Sequence, residues 1–215
     1  MEHQAPPTAW NTVFQQEGKV FTTPHEDMLH FVEAVRHHNR QNVLDVGCGS
    51  GRHVVYLARH GFSVYGLDNA PEGLNITRRW LQQEGLSADL RHHQMTDPFP
   101  YPDATFDAVV SIQVIHHART AEIQQIIAEM TRVLRPHGVL LVSVPKEKHR
   151  GEARREIEAG TYVPLDGPER GLPHHYFTED EFQTLFQAFT LTDIHLDSTQ
   201  HYCVWGRKRI QSSED

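Results

Sequence analysis

The fold is decided by one stretch, Val43-Leu44-Asp45-Val46-Gly47-Cys48-Gly49-Ser50-Gly51-Arg52. Its first four residues predict a buried strand, and residues 53–60 predict the helix that follows. The glycines between them let the backbone turn sharply and let a ligand approach the chain closely. Free N–H groups at the start of the helix can then bind polar or anionic groups. The stretch therefore predicts a nucleotide-like binding turn at the edge of a sheet.

Short apolar runs alternate with helical patterns along the rest of the chain. Further strands are predicted over 62–67, 90–94, 106–112, 139–144, 191–196 and 201–205. Helices are predicted over 71–84 and 120–134, where apolar residues recur at helical spacing. Such alternation is typical of an open α/β sheet. We therefore expect an α/β fold with one seven-stranded, mostly parallel sheet and helices on both faces.

Two segments fall outside this alternation. The N-terminal segment is too apolar for a disordered arm, and Thr23-Pro24 predicts the start of a helix within it. The segment 145–177 carries a charged run and then a stretch rich in glycine and proline, which is typical of a functional insertion or lid. We expect an N-terminal helical cap over 1–40 and a sheet domain over 41–215 that contains this insertion.

Asp68 is the second informative position, because it ends the strand that follows the glycine turn. A carboxylate there can accept hydrogen bonds from both hydroxyls of a ribose. A dinucleotide site would need the pattern G-x-G-x-x-G, whereas Gly51 comes one residue early and Arg52 stands in the place of the last glycine. The glycine turn and Asp68 together favour a ribose-containing ligand over a plain tight turn.

The glycine turn, Asp68, the strand 106–111 and the segment 132–138 together resemble class I S-adenosylmethionine-dependent methyltransferases. The resemblance covers about residues 40–145 and is to the broad type that acts largely on small molecules. It implies a three-layer Rossmann-like methyltransferase fold, S-adenosylmethionine as cofactor and S-adenosylhomocysteine as product. It also implies in-line transfer of a methyl group to a small-molecule acceptor. A non-catalytic S-adenosylmethionine-binding regulatory module and a nucleotide-dependent oxidoreductase stay open as alternatives.

The resemblance also implies cofactor contacts. Asp45 would hold the methionine ammonium, and Asp68 would bind the ribose hydroxyls with Asn69 beside it. Gln94 stands where the family often has an aspartate near adenine N6, and its amide oxygen can still accept from the exocyclic amine. The other implied contacts lie in the glycine turn, after the third strand and after the fourth strand: Gly47, Cys48, Gly49, Gly51, Met95, Thr96 and Gln113.

Histidines and aromatic residues are the candidates for catalysis and for binding the acceptor. His116 and His117 are the candidate general bases, because they follow the fourth strand and imidazole titrates near neutrality. The alternative is that one is packed in the core and the other exposed. Residues that would lie over the carboxyl ends of the strands are the expected substrate contacts: Trp10, Phe14, His174, His175 and Tyr176. Phe21 is a further aromatic candidate, and simple packing is the competing interpretation for all the aromatics.

The composition disfavours several classes of protein and partner. Twenty lysines and arginines against 28 aspartates and glutamates give a net charge of −8, which argues against a nucleic-acid acceptor. No apolar run approaches the roughly 20 residues of a membrane helix, so we expect no membrane partner. The two cysteines, Cys48 and Cys203, favour a reducing compartment and a cytoplasmic location. We expect a monomer or homodimer that acts on a small-molecule substrate.

The 17 histidines raise the question of a metal site. Neither H-E-x-x-H nor C-x-x-C spacing occurs in the sequence. Other potential ligands could converge only through folding: His174, His175, His201 and Cys203. From the sequence we therefore predict no metal.

Overall fold

The computed structural model describes residues 9–36, 41–146 and 153–210. The strands are β1 (Asn42–Val46), β2 (Ser63–Asp68), β3 (Asp89–His92), β4 (Phe106–Ile112), β5 (Leu134–Pro145), β6 (Arg154–Glu158), β7 (Thr161–Pro164), β8 (His174–His175), β9 (Phe189–Leu196) and β10 (His201–Lys208). The helices are α1 (Ala9–Glu17), α2 (Met28–Arg36), α3 (Arg52–Arg59), α4 (Pro71–Gln83), α5 (Thr120–Val133) and α6 (Glu179–Leu185). Among these, no helix is long and apolar enough to cross a membrane.

The main sheet has seven strands in the order β3-β2-β1-β4-β5-β10-β9. Strands β1 to β5 run parallel to their neighbours. Strand β10 is antiparallel to both β5 and β9. The chain crosses from β3 at one edge to β4, so the order of strands reverses between β1 and β4. In open α/β sheets, ligands bind beyond the carboxyl ends of the strands at such a reversal.

Both faces of the sheet are covered, because successive residues of a strand point to opposite sides. Leu44 of β1 belongs to one apolar cluster, together with Ile123 of α5 and Phe182 of α6. Its neighbour Val43 belongs to a second cluster, which includes Val54 of α3 and residues of α2 and α4. The expected three-layer α/β fold with a mostly parallel seven-stranded sheet is therefore confirmed.

The N-terminal segment differs from the prediction in where its helices begin. Helix α2 begins at Met28 and not at Thr23-Pro24. The chain turns there because Met28 N–H donates to the His25 carbonyl at 3.0 Å and Asp27 N–H donates to His25 Nδ1 at 3.2 Å. Helix α1 packs against α4. Residues 37–40 lie outside the described residues, so the boundary of the cap at residue 40 stays a prediction.

The insertion contains a small antiparallel sheet, β6-β7-β8, that the sequence analysis did not predict. Its last strand has only two residues, His174 and His175, which pair with Tyr162 and Thr161. The sheet is anchored to the main domain because His175 N–H donates to the His116 carbonyl at 2.9 Å. The insertion therefore places the histidines of β8 beside those that follow β4.

Candidate active site

The glycine turn takes a backbone shape that other residues rarely adopt. Gly47, Gly49 and Gly51 have φ angles of 78°, 51° and 93°. The turn is also crowded, since a Cβ atom at Gly51 would lie 2.6 Å from Cγ2 of Thr77. The N–H groups of Gly47 and Cys48 both donate to the Leu67 carbonyl, at 2.8 and 3.0 Å. The turn is thus held against the end of β2, where Asp68 follows.

We expect Gly51→Ala to lose about 2–4 kcal/mol of unfolding free energy, because it combines backbone strain with a clash. Gly61→Ala is the matched control. Gly61 also has a positive φ, 83°, but a Cβ there would meet nothing within 4 Å. Chemical denaturation of both variants isolates the effect of the clash with Thr77. Equal losses in the two variants would contradict this account of the turn.

Asp68 connects the glycine turn to the start of α4. Its Oδ2 accepts from the Gly49 N–H and its Oδ1 accepts from the Ala70 N–H, both at 2.7 Å. Burial raises the pKa of this carboxyl, and the two N–H groups act against that rise. Each carboxylate oxygen keeps acceptor capacity for a ligand hydroxyl. The geometry therefore suits the ribose contact that the resemblance implies.

Asp45 lies deeper than Asp68 and is almost completely buried, with 1% of its surface exposed. Its Oδ2 has no hydrogen-bond partner among the described residues. Burial raises the pKa of Asp45 to about 7, with Asp68 adding to the rise and Arg52 opposing it. A buried carboxylate oxygen without a partner costs free energy that a cationic group would recover. Asp45 thus fits the predicted role of holding an ammonium group.

A cleft opens at the carboxyl ends of β1, β2 and β4, where the strand order reverses. Many of the predicted site residues line it: Trp10, Phe14, Gly47, Cys48, Gly49, Gly51, Asp68, Asn69, Met95, Gln113 and His117. Others lie outside its lining: Asp45, Gln94, Thr96, His116, His174, His175 and Tyr176. The lining also includes residues that sequence reasoning did not single out as contacts: Ala9, Ser50, Arg52, His53, Leu67, His93, Ile112, Val114 and Leu172.

Sequence signals existed for some of these missed residues. Ser50 and Arg52 belong to the glycine stretch itself, and His93 directly precedes Gln94. The Asn69 side chain donates to Gln94 Oε1 at 2.9 Å. That amide oxygen, which we expected to face the adenine amine, is therefore already engaged. His93 and Met95 line the cleft at this end instead.

Helix α1 closes one side of the cleft with aromatic rings. Trp10 and Phe14 have ring centroids 5.8 Å apart, and the Trp10 ring is 6.1 Å from that of His117. The Asn11 side chain accepts from the Glu72 N–H at 2.9 Å, which holds α1 on the start of α4. Trp10 and Phe14 thus form an aromatic wall of the cleft, and their contact with a substrate stays a prediction.

Three histidines gather beside the cleft, and His117, which lines it, contacts Trp10. The rings of His116 and His117 are 3.8 Å apart, and His174 of β8 lies 4.6 Å from His117 and 5.6 Å from His116. Burial lowers the pKa of His117 to about 4 and lowers that of His116 well below its usual value. Both rings are therefore neutral at pH 7, with Nδ1 buried and without a partner among the described residues.

The other two predicted substrate residues of the insertion lie elsewhere. The His175 ring bonds Thr161 Oγ1 at 2.7 Å through Nδ1 and Glu181 at 3.0 Å through Nε2. The Tyr176 ring packs against Tyr162, with ring centroids 5.8 Å apart. These contacts stabilise the insertion, so the geometry gives His175 and Tyr176 a structural environment away from the cleft lining.

Comparison with known proteins agrees with this geometry. Residues 43–138 match the family described as "Methyltransferase domain", which covers the strands and helices around the cleft. This region is a methyltransferase domain of the class I, S-adenosylmethionine-dependent type, and the resemblance noted in the sequence is confirmed.

Individual relatives match only part of this chain, and the match covers only part of their own length. An uncharacterised methyltransferase of Synechocystis sp. is 36% identical over 46% of this chain and 44% of its own length. The ubiquinone biosynthesis O-methyltransferase of Rickettsia akari is 28% identical over 75% of this chain and 61% of its own. The chain thus spans about half the length of these curated relatives.

A solved structure shows the same fold over most of the chain. It is the 1,6-didemethyltoxoflavin-N1-methyltransferase of Burkholderia thailandensis, with bound 1,6-didemethyltoxoflavin and S-adenosylhomocysteine. The TM-score is 0.67 at 21% identity, over 96% of this chain and 93% of the other.

Proposed function

We propose that the protein transfers the methyl group of S-adenosylmethionine to a small-molecule acceptor by in-line displacement. The observation that carries the proposal is the Asp68 carboxylate, which is held by the Gly49 and Ala70 N–H groups at the strand reversal. A ribose can bind there. The unpartnered buried oxygen of Asp45 supports a cationic amino-acid end on the same ligand.

When the cofactor is bound, its sulfonium provides the methyl group and a good leaving group. The chain would therefore mainly orient the two reactants and exclude water from them. Asp68 and the glycine turn would fix the ribose, and Asp45 would fix the methionine end. Gln113 sits at the end of β4 with φ 60°, where its N–H donates to the Ser143 carbonyl at 2.9 Å. By the resemblance, this backbone turn would lie beneath the sulfur of the bound cofactor. Alignment of this kind accounts for much of the rate of a displacement reaction.

A small acceptor is favoured by the walls of the cleft. Trp10 and Phe14 narrow it from one side, and Leu172 and His117 border it from the insertion side. The names of two similar proteins support this, since one is a ubiquinone biosynthesis O-methyltransferase and the other is a 1,6-didemethyltoxoflavin-N1-methyltransferase with bound 1,6-didemethyltoxoflavin. The net charge of −8 also disfavours nucleic acid. The cytoplasmic location and the monomeric or homodimeric state stay predictions.

General base catalysis by His117 is less well supported than the sequence suggested. Efficient proton transfer needs a base whose pKa lies near the working pH, and the pKa of His117 is about 4. Its ring does border the acceptor side of the cleft. A neutral imidazole there can still accept a hydrogen bond from the methyl acceptor, or bind an electrophile other than a proton.

The proposal is tested by incubating the protein with methyl-tritiated S-adenosylmethionine and a whole-cell extract, which is then separated into small-molecule, protein and nucleic-acid fractions. We expect label in the small-molecule fraction and none in the protein or nucleic-acid fraction. Asp68→Ala serves as the control for background transfer. Label in macromolecules alone would overturn the small-molecule acceptor, and no label anywhere would favour the non-catalytic module.

A further inference from the structure

The histidine cluster contains two buried nitrogens that nothing in the described structure satisfies. Nδ1 of His116 and Nδ1 of His117 are both inaccessible to solvent and have no hydrogen-bond partner among the described residues. Burying a polar atom without a partner costs about 1–3 kcal/mol. Two such atoms on adjacent rings indicate a missing partner that both can share.

The hydrogen bonds of His174 point to a cation at the same place. Its Nδ1 lies 2.9 Å from the Leu172 carbonyl, which can only accept, so Nδ1 carries the proton. Its Nε2 lies 3.1 Å from Glu169 Oε2, and a carboxylate is also an acceptor. A lone pair on Nε2 would therefore face a negatively charged oxygen. This contact is satisfied either by an N–H on Nε2 that forms an ion pair with Glu169 or by a metal ion between the two atoms.

We propose that His116, His117 and His174 bind one divalent transition-metal ion, with Glu169 completing the site. One potential ligand nitrogen from each ring lies within 4.8 Å of the other two. Four-coordinate zinc with bonds of about 2.0–2.1 Å places its ligands roughly 3.3 Å apart, so small rotations of the rings would close the site. Neutral imidazole is also the form that binds metal.

The surroundings of the cluster resemble those of a metal site. Glu169 lies 3.1 Å from His174 Nε2 and 3.8 Å from His117 Nε2, so it faces two of the rings. The His174 Nδ1 lies 2.9 Å from the Leu172 carbonyl oxygen. Ligating histidines usually donate their other N–H to a carbonyl or a carboxylate in this way. The bond of His174 Nδ1 therefore leaves its Nε2 for the ion, and Nδ1 of His116 and of His117 has no partner among the described residues.

A second group of potential ligands in the described residues carries no such inference. His25, Asp27 and Cys203 also lie close together. However, His25 Nε2 bonds Asp197 at 3.1 Å, and Asp27 accepts from the Trp205 indole at 3.0 Å. These groups already satisfy one another. The cluster at His117 is distinguished by its free nitrogens and by its place beside the cleft.

The position of the site suggests which acceptors it would bind. His117 lines the cleft next to Trp10, so an ion held there would face the acceptor and not the ribose end. A divalent ion binds an oxygen or nitrogen lone pair and lowers the pKa of a bound hydroxyl. This assignment of acceptor class rests on the proposed function. The metal site itself depends only on the three rings and Glu169.

The test uses tag-free, chelator-treated protein dialysed against Zn(II) alone, followed by elemental analysis. We expect the wild-type chain to retain one more zinc per chain than the double variant His117→Asn/His174→Asn. His30→Asn is the matched control, because His30 is exposed and packs on Trp205. It should retain as much zinc as the wild type. Equal retention by the wild type and the double variant would overturn the proposal.

X-ray absorption at the zinc edge of the wild-type protein keeps the proposal testable if the double variant does not fold. We expect a nitrogen and oxygen coordination shell with imidazole scattering, and a sulfur neighbour would place the ion at Cys48 or Cys203 and overturn the assignment. Titration of the same samples with S-adenosylhomocysteine separates the two proposals. Zinc binding without cofactor binding would support the metal site and count against the proposed function. Cofactor binding without zinc binding would support the proposed function and count against the metal site.

Discussion

Asp68→Ala is expected to weaken binding of S-adenosylhomocysteine by roughly ten- to hundredfold. Loss of a charge-assisted hydrogen bond costs about 1.5–3 kcal/mol, and each 1.4 kcal/mol is a factor of ten. The variant loses the ribose acceptor and also releases the Gly49 and Ala70 N–H groups that the carboxylate now holds. Both effects act against the cofactor. Calorimetric titration measures the change directly.

The control for this titration is Asp97→Ala. Asp97 is an exposed carboxylate that follows residues 93–96 at the same edge of the sheet. Its removal changes the net charge equally, so a purely electrostatic effect of charge loss would appear in both variants. Thermal unfolding confirms that each variant is folded. Unchanged affinity in folded Asp68→Ala would contradict the assignment of Asp68 to the ribose.

Asp45→Asn is expected to have opposite effects on the free protein and on cofactor binding. The pKa of Asp45 is raised from 3.8 to about 7, so the native state holds this proton more tightly than the unfolded chain does. That contribution to stability is complete below about pH 4 and is lost as the pH rises through 7. The free variant should therefore be more stable than the wild type at pH 8, by about 2–4 kcal/mol, and equally stable at pH 4.

Cofactor binding should favour the ionised form of the Asp45 carboxyl, whereas folding of the free protein favours the protonated form. An ammonium group requires the carboxylate, so wild-type affinity for S-adenosylhomocysteine should rise up to about tenfold per pH unit below pH 7 and level off above it. Asp45→Asn should bind weakly and lack this slope. Denaturation and calorimetry at pH 5, 6, 7 and 8 check both results. A pH-independent wild-type affinity would show that Asp45 does not meet the cofactor.

The strands of the main sheet were predictable because each is marked by a short apolar run in the sequence itself. Val43 to Val46 are all apolar apart from Asp45, and the strand from Phe106 to Ile112 is buried at every position. The glycine turn and Asp68 were predictable for the same reason. Strand β5 was harder, since the sequence predicted a strand only over 139–144. The strand begins at Leu134 instead, with a shift in register between Phe106 and Ala108 and a positive φ of 59° at His137.

The histidine cluster could not be predicted, because no sequence spacing connects its members. His116 and His117 follow β4, whereas His174 belongs to a strand of two residues that has no periodicity of its own. The bond from His175 N–H to the His116 carbonyl brings them together only after the insertion folds. The unpartnered oxygen of Asp45 was equally hidden, because burial and missing partners are properties of the packed chain.

The most direct test of the central claim is a calorimetric titration of the wild-type protein with S-adenosylmethionine and, separately, with NADH at pH 8. The arrangement of the glycine turn, Asp45 and Asp68 predicts saturable binding of S-adenosylmethionine at one site per chain and no binding of NADH. Binding of NADH without binding of S-adenosylmethionine would contradict it.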